Sequence, residues 1–303
     1  MAGAGGLCEG RVVVVTGAGR GLGRSHALAL SAAGARLVVN DLGVEPDGTR
    51  PDPEIAWRVA EVIRQAGGEA IESSEDVACW EGAGQLVETA LSSFGRLDAI
   101  VNNAGVSRGG LLVNLAEADL DEVVRVHLKG HAAMAAQAAA HWRRLAADDG
   151  PSDWRIVNTT SPMALLASPP HGRSGHAAYV AAKAAVAALT LTEADELSRY
   201  GVMVNAIAPV ARTRLTEALG YEDLAQPVTP GAFDAMDPDN VSPLVCWLCS
   251  VRSRGVNGRV FEVEGGRLGL LEGWRRVASH EGGGRLVAGE LDGIVERLLS
   301  EAG

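Results

Sequence analysis

The sequence predicts a doubly wound α/β domain, in which one parallel sheet carries helices on both faces. Short runs rich in Val and Ile alternate with longer Ala/Leu-rich segments along most of the 303 residues. Most of these runs are apolar over several consecutive positions, as is typical of strands buried on both faces. Alternation of such strands with segments of helical length favours a parallel sheet within a single domain.

Seven runs are predicted to form the strands of this sheet. In chain order they are RVVVVTG, ARLVVND, EAIESSED, LDAIVNNAG, RIVNTTS, VMVNAIAP and RVFEVEGG. We therefore expect one domain with a seven-stranded parallel sheet over residues 1–266. A C-terminal extension over residues 267–303 is expected to pack on the same domain or on a partner subunit. Two long segments, 42–54 and 214–240, do not fit the alternation, and loops of this length often cover binding sites. We expect residues 214–240 to form a substrate loop.

Charge and composition exclude several classes of function. The net charge of -11 argues against a protein that binds nucleic acid or a membrane surface, because either would need a basic face. No run approaches the roughly 18 to 20 apolar residues that span a bilayer. The first ten residues, MAGAGGLCEG, carry neither a basic leader nor a long apolar run, which favours a cytoplasmic protein.

Cys246 and Cys249 form a C-x-x-C pair, which is one of the few sequence patterns here that suggests a redox or metal site. The alternative is two apolar cysteines on the inner face of a helix. Because the chain has no second C-x-x-C and no His nearby, we favour the packed helix and expect no metal site.

A glycine-rich segment directly follows the first predicted strand. The stretch VVVVTGAGRGLGR places glycines at positions 17, 19, 21 and 23 and then opens an Ala/Leu helix. Glycines let the backbone turn tightly beside a pyrophosphate, and the N-terminus of a helix supplies N–H donors to it. In this strand–turn–helix context the motif predicts a dinucleotide site.

Two residues near that motif predict opposite cofactor preferences. Asp41 ends the second strand, 20 residues after Gly21, where a carboxylate accepts hydrogen bonds from ribose hydroxyls and repels a 2′-phosphate. Arg20 lies inside the glycine segment and favours that phosphate. We give Asp41 the greater weight, so NAD is predicted over NADP. Asp76 and Val77, after the third strand, are expected to hold the adenine edge.

The pair Tyr179 and Lys183 predicts the chemistry of the site. The two residues are four apart within a helical segment, so they share one face of the helix. A lysine ammonium favours the phenolate and so lowers the pKa of a neighbouring tyrosine, which makes it an acid/base group near neutral pH. Ser161, at the end of the fifth strand, can hydrogen-bond a substrate oxygen.

The motifs TGAGRGLG, NNAG, YVAAK and NAIAP together make the chain resemble the short-chain dehydrogenase/reductase family, over residues 11 to about 265. This resemblance implies that Tyr179 is the proton donor or acceptor, that Lys183 also binds the nicotinamide ribose, and that Ser161 orients the substrate oxygen. It also implies a homodimer or homotetramer. The implied cofactor-binding residues are Gly17, Arg20, Gly21, Leu22, Gly23, Asp41, Asp76, Val77, Asn103, Ala104, Gly105, Tyr179, Lys183, Pro209 and Thr213.

The chain departs from the family pattern at three places. His127 stands where the family has a helix asparagine that supports a proton relay, and His titrates near neutrality. The segment between Ser161 and Tyr179 is enlarged, which leaves Thr160 as an alternative to Ser161. Pro209 is followed by Val210 rather than by the usual glycine.

The expected function is that of an NAD-dependent oxidoreductase that interconverts a secondary alcohol and a ketone. VVNDLG, RVHLKG and SPLVCWLCS are similar to the (3R)-hydroxyacyl-CoA dehydrogenase branch of the family, so a 3-hydroxyacyl-CoA is one candidate substrate. Two alternatives stay open. One is a ketoreductase or hydroxysteroid dehydrogenase that acts on a steroid or polyketide-like ring, and the other is a catalytically silent cofactor-binding protein.

Overall fold

The computed structural model describes residues 6–45, 52, 54–169, 172–218 and 231–302. Within these ranges the chain forms eight strands and ten α-helices. The strands are β1 (Val12–Thr16), β2 (Arg36–Asn40), β3 (Ala70–Ser73), β4 (Ala99–Asn102), β5 (Trp154–Thr159), β6 (Val202–Val210), β7 (Arg259–Glu264) and β8 (Arg267–Leu271). The helices are α1 (Gly21–Ala32), α2 (Glu54–Gln65), α3 (Trp80–Phe94), α4 (Glu117–Val123), α5 (Gly130–Asp149), α6 (Pro162–Leu165), α7 (Ala177–Leu197), α8 (Arg214–Ala218), α9 (Ser242–Cys249) and α10 (Leu291–Ala302).

The strands form one sheet in the order β3-β2-β1-β4-β5-β6-β7-β8. The first seven strands of the chain pair in parallel, as the sequence predicts. The order reverses between β1 and β4, and in open sheets of this kind ligands bind at the carboxyl ends of the strands beside such a switch point. The doubly wound fold is confirmed.

The expected count of seven strands is wrong by one, because β8 pairs with β7 in the antiparallel direction. Gly265 and Gly266 form a two-residue hairpin between them, and Gly265 has a φ of +51°, which glycine adopts without steric cost. Residues 267–271 therefore belong to the sheet rather than to the extension. The chain divides into two compact units, residues 1–271 and 272–303. The second unit contains α10, and the packing expected of the extension stays a prediction.

The core has one layer on each face of the sheet. On one face, Val13 and Val15 pack with residues of α1, α2 and α9. On the other face, Val12 and Val14 pack with residues of α3 and α5. Consecutive valines of β1 therefore bury opposite faces of the sheet, which explains why the strand is apolar at every position.

Helix α9 carries the C-x-x-C pair within this core. Cys246 and Cys249 are both buried, and burial raises the pKa of the Cys246 thiol to about 12. A buried thiol that stays protonated behaves as a small apolar side chain. The packed-helix interpretation of the pair is thus the one that the structure supports.

The segment Ala177–Tyr200, which contains α7, is long and apolar enough by composition to cross a membrane. Packing inside the domain also explains this apolar composition, because the helix lies against β6 and β5 and buries Tyr179 and Lys183. The apolar composition is that of a helix in the interior of the domain.

Candidate active site

A cleft of about 240 Å³ lies at the carboxyl ends of the parallel strands. The predicted catalytic and cofactor-binding residues line this cleft, with the exceptions of Gly23 and Ser161. Loops from β1, β2, β3, β4, β5 and β6 contribute to its walls, which is where the fold places ligand sites. The structure therefore brings most of the predicted site residues together around one cleft, and the two exceptions have local explanations.

The glycine segment forms a turn that leads from β1 into α1. Gly17 and Gly21 have φ angles of +63° and +50°, and a Cβ at Gly17 would lie 2.8 Å from the Cα of Ala104. A Cβ at Gly23 would collide with the carbonyl oxygen of Gly17, so this glycine lets the helix pack against the turn from behind. That is why Gly23 does not line the cleft. The open N-terminus of α1 supplies the N–H groups and partial positive charge that suit a phosphate.

Asp41 is held at the edge of this turn by two backbone N–H groups. Its Oδ2 accepts a hydrogen bond of 2.7 Å from the amide of Gly19, and its Oδ1 accepts one of 2.7 Å from Gly43. Each carboxylate oxygen keeps a lone pair that can accept a ribose hydroxyl. Arg20, the competing residue, donates to the carbonyl oxygen of Val44 at 3.2 Å.

Asn103, just after β4, connects this strand to the glycine turn through hydrogen bonds. Its Nδ2 donates to the carbonyl oxygens of Thr16 and Gly17, at 3.0 and 3.1 Å. The amides of Asn103 and Ala104 both donate to Oγ1 of Thr16. This side chain thus shapes the wall of the cleft, as predicted for the NNAG motif, by fixing the turn beside it.

Tyr179 and Lys183 lie one turn apart on α7 at the floor of the cleft. Only 7% of Tyr179 and 2% of Lys183 is exposed. The Nζ of Lys183 donates to the carbonyl oxygen of Thr159 at 2.7 Å and lies 5.8 Å from the centroid of the Tyr179 ring. Burial lowers the pKa of Lys183 to about 7, because a charged ammonium loses hydration inside the protein.

His127 contacts the tyrosine ring directly. The two rings meet edge to face, with centroids 5.4 Å apart and planes at 87°. His127 is fully buried, and its Nε2 lies 2.8 Å from the carbonyl oxygen of Val106. Its Nδ1 has no hydrogen-bond partner among the described residues.

Burial, and secondly the positive charge of Lys183, lowers the pKa of His127 to about 3. The imidazole is therefore neutral at physiological pH, with one nitrogen able to donate and the other able to accept. His127 lies in a π-helical segment, Val124–Lys129, between α4 and α5. Segments of this type are frequent at functional sites.

Thr160 and Ser161, the two alternatives for orienting substrate, make different contacts. Oγ1 of Thr160 donates to the carbonyl oxygen of Lys183 at 2.6 Å, so its proton is already used within the fold. Oγ of Ser161 accepts from the amide of Met163 at 3.3 Å as the N-cap of α6, which leaves its own proton available. Ser161 does not line the cleft, however, whereas Thr159 and Thr160 do.

The enlarged segment after Ser161 is held by Arg173. Its guanidinium donates to the carbonyl oxygens of Met163 and Ala167, at 2.8 and 3.1 Å, and to that of Leu166. These carbonyls lie in the last part of α6 and just beyond it, where no further helical partner follows. The sequence did not single out Arg173, and nothing local in the pattern indicates the contact.

A buried polar network joins β4, β5 and α7. Nδ2 of Asn102 donates to Oδ1 of Asn158 at 2.9 Å, and Nδ2 of Asn158 donates to Oε2 of Glu193 at 2.8 Å. Burial raises the pKa of Glu193 to about 8, so this carboxyl group is largely protonated at neutral pH. The burial of Glu193 is not visible in the pattern LTEADEL, in which the neighbouring acidic residues Asp195 and Glu196 are exposed.

The substrate loop predicted over 214–240 is described only in part, since residues 219–230 lie outside the described ranges. Arg212, two residues before this loop, donates to Asp234 within it through two N–H···O bonds of 2.9 and 3.0 Å. Arg214, on α8, forms an ion pair of 2.7 Å with Glu45, across from the glycine turn. The segment 42–54 is described only at residues 42–45, 52 and 54.

Comparison with known proteins gives the family. The model of the short chain dehydrogenase family matches residues 11–222. Hydroxyacyl-CoA dehydrogenase ChsB1 of Mycobacterium tuberculosis is 40% identical over 266 residues, which cover 87% of this chain and 80% of that protein. Peroxisomal multifunctional enzyme type 2 of Mus musculus is 39% identical over 269 residues, which cover 89% of this chain and 33% of the mouse enzyme. A short chain dehydrogenase from Mycobacterium avium has a crystal structure that superposes with a TM-score of 0.86 at 47% identity, covering 98% of this chain and 97% of that one.

The chain belongs to the short-chain dehydrogenase family. It is an oxidoreductase that acts on CH–OH groups and interconverts an alcohol and a ketone, with a nicotinamide cofactor of the NAD or NADP type. The resemblance to hydroxyacyl-CoA dehydrogenases is likewise confirmed.

Proposed function

We propose that the protein is an NAD-dependent dehydrogenase that oxidises the hydroxyl group of a 3-hydroxyacyl-CoA and also catalyses the reverse reduction. The observation that carries this proposal is the set Tyr179, Lys183 and His127 at the floor of a cleft whose rim holds the carboxylate of Asp41. The substrate class is supported by the printed activity of the Mycobacterium tuberculosis relative, a hydroxyacyl-CoA dehydrogenase.

The residues present fit a dinucleotide. The positive φ angles of Gly17 and Gly21 keep side chains out of the turn before α1, whose N-terminus suits the pyrophosphate. Asp41 would bind the adenosine ribose, Asp76 and Val77 the adenine edge, and Lys183 the nicotinamide ribose. Leu22, Pro209 and Thr213 complete the wall. When bound, the nicotinamide supplies hydride chemistry.

The chain's own residues handle the proton and the oxygen. Tyr179, as phenolate, takes the hydroxyl proton of the substrate at Oη and returns it in the reverse direction. In its protonated form, Lys183 favours the phenolate through its positive charge, and the Thr159 carbonyl fixes where that charge lies. Ser161 is the proposed donor to the substrate oxygen, after its side chain rotates into the cleft. Thr160 is less suited to this role because its hydroxyl already donates to the carbonyl oxygen of Lys183.

His127 is proposed to pass the proton onward. Its neutral ring lies against Tyr179, and its Nδ1 is available on the side away from Val106. A neutral imidazole can accept at one nitrogen and donate at the other, so with an intervening water it can serve in place of an amide. The ion pair between Arg212 and Asp234 is proposed to anchor the substrate loop, which is proposed to close over the substrate.

The test is a turnover assay with 3-hydroxyacyl-CoA thioesters of several chain lengths, and with matched secondary alcohols that lack CoA, each with NAD and with NADP. We expect turnover with NAD on the thioesters. Turnover on steroid or polyketide-like ring alcohols alone would favour the ring-directed alternative. No turnover on any alcohol or ketone, with cofactor binding intact, would favour a silent cofactor-binding protein.

The proposal also covers the cellular location and the number of subunits. We expect a cytoplasmic homodimer or homotetramer, and light scattering on the purified protein measures the number of subunits.

A further inference from the structure

A cluster of three charged side chains, Asp76, Glu122 and Arg125, lies in the wall of the cleft. The guanidinium of Arg125 donates from Nη1 to Oδ2 of Asp76 at 2.7 Å. From Nε and Nη2 it donates to both carboxylate oxygens of Glu122, at 2.7 and 2.9 Å. All three residues line the cleft. One arginine therefore holds two carboxylates that would otherwise repel each other.

Asp76 lies in the loop between β3 and α3, and its orientation is fixed from two directions. Its Oδ1 accepts from the amide of Ala78 at 2.9 Å, while its Oδ2 accepts from Arg125. The two contacts occupy one lone pair on each oxygen. The carboxylate therefore still has acceptor sites, in a fixed direction, for a ligand that donates hydrogen bonds.

Arg125 comes from a different part of the fold. It is the second residue of the π-helical segment Val124–Lys129, which also carries His127. The ion pair joins residues 49 positions apart, so the loop after β3 and the π-helical segment are tied together at the wall of the cleft. The side chains of Arg125 and Asp76 are 36% and 33% exposed, which leaves the pair accessible to a ligand.

We infer that Arg125 is a positioning residue that orients the Asp76 carboxylate to accept a hydrogen bond from the exocyclic amino group of adenine. The inference rests on the proposed function only in that the bound cofactor carries adenine. A carboxylate is an acceptor and the 6-amino group is a donor, so the chemistry matches. In the absence of Arg125, Asp76 turns away from Glu122 toward solvent and the acceptor is lost.

The chain offers a matched control for this role. Arg64, on α2, also holds two carboxylates, those of Glu61 and Glu72, at 3.1 and 3.0 Å. Its side chain is 34% exposed, much as that of Arg125 is. Arg64 does not line the cleft. Arg64→Met therefore removes a similar ion-pair cluster without touching the adenine side of the site.

The experiment compares the binding of two ligands, NAD and nicotinamide purine dinucleotide, in which hydrogen replaces the 6-amino group. Calorimetric titration gives the Kd of each for the wild type, Arg125→Met, Arg125→Lys and Arg64→Met, without any substrate. In the wild type we expect NAD to bind about tenfold tighter than the analogue, as a hydrogen bond to a charged group contributes. In Arg125→Met the ratio of the two Kd values should fall to about one to two, because NAD binds more weakly. Arg125→Lys should restore part of the ratio, because lysine keeps the charge but lacks the planar guanidinium. Arg64→Met should keep the wild-type ratio.

The ratio separates this role from general damage, because a distorted site weakens both ligands equally and leaves their ratio unchanged. An unchanged ratio in Arg125→Met overturns the inference. So does a wild type that binds both ligands equally, or one that binds neither. If the ratio behaves as expected but no alcohol or ketone is turned over, the proposed function fails and the inference on Arg125 stands.

Discussion

Tyr179 and Lys183 share one turn of α7 and one buried environment, and yet their proposed tasks differ. The tyrosine moves a proton, whereas the lysine supplies charge and a donor for the ribose. Tyr179→Phe should lower kcat by a hundredfold or more, since acid/base groups contribute roughly 10² to 10⁴. It should leave the Kd of the cofactor nearly unchanged, because the ring still packs against His127. Lys183→Ala should impair both quantities. Retention of more than about a tenth of wild-type turnover by Tyr179→Phe would contradict the acid/base role.

His127 gives a second prediction at this scale. Because its pKa is lowered to about 3, the ring stays neutral from pH 6 to 10 and should add no inflection to the pH–rate profile there. His127→Asn should keep much of the activity, since an amide both donates and accepts. His127→Leu should lose about tenfold or more, because neither capacity survives. The measurement is the pH–rate profile of the wild type and both variants on one substrate. Equal activity of the Leu and Asn variants would make His127 a packing residue only.

Asp41 determines the predicted cofactor preference. Its carboxylate repels the 2′-phosphate of NADP, so the wild type should bind NAD more tightly. Asp41→Asn, which removes the charge but keeps an acceptor, should narrow the ratio of the two Kd values by about tenfold, the effect expected of one charged contact. The check is titration of both cofactors into both proteins. A wild type that prefers NADP would show that Arg20 outweighs Asp41.

At the scale of the element, an ion pair between Arg212 and Asp234 lies at the predicted substrate loop. Arg212 and Asp234 form two parallel N–H···O bonds, and the Arg212 bonds hold the pKa of Asp234 below its usual range. Arg212→Ala should lower kcat/KM by about fivefold, the upper range for an accessible pair. Adding Asp234→Ala should cost little more, since the two residues act as a unit. If the loss of kcat/KM in the double variant equals the sum of the losses in the two single variants, the pair does not act as one unit. Arg64→Ala is the control for the loss of a surface arginine.

The elements of the sheet could be predicted from the sequence, whereas some of the connections could not. Consecutive valines in β1 are visible as a buried strand because the pattern is local. β8 was missed because RLGLL is short and contains a glycine, and its pairing with β7 depends on the hairpin at Gly265. The π-helical segment is also invisible to periodicity, since its flanks and its interior are all helical.

The candidate site shows the same division between local and distant information. Tyr179 and Lys183 were found because four residues are one helical turn. The Arg125–Asp76 and Arg214–Glu45 pairs join positions 49 and 169 residues apart, and no local pattern encodes such contacts. Whether Ser161 points into the cleft depends on one side-chain torsion, which sequence spacing does not specify.

For the molecule as a whole, Glu193 predicts an unusual dependence of stability on pH. Its pKa is raised from 4.5 to about 8 in the folded protein, so between these values the folded state holds a proton that the unfolded state has lost. Stability should therefore fall as pH rises through this window, the reverse of the trend for an ion-paired carboxylate. Glu193→Gln is neutral throughout, so it should match the wild type near pH 5 and melt at least about 2–4 °C higher near pH 9.

Thermal melts at pH 5, 7 and 9 measure this effect. Asp195→Asn, at an exposed position of the same helix, is the control and should follow the wild type. If Glu193→Gln has the same pH dependence as the wild type, the carboxyl group is not protonated in the folded state.

Asp41 has two proposed roles, in cofactor preference and in the structure of the glycine turn, and this limits how the preference for NAD or NADP can be engineered or can evolve. Its two oxygens accept from the amides of Gly19 and Gly43, so the group proposed to discriminate between the cofactors also stabilises the glycine turn that is proposed to hold either of them. A single substitution that removes the charge also removes at least one of these two acceptors, since even Asn keeps only one oxygen. A full switch of preference should therefore need a second change that restores the lost acceptor. Lineages that carry only the first change should pass through a weaker binder of either cofactor.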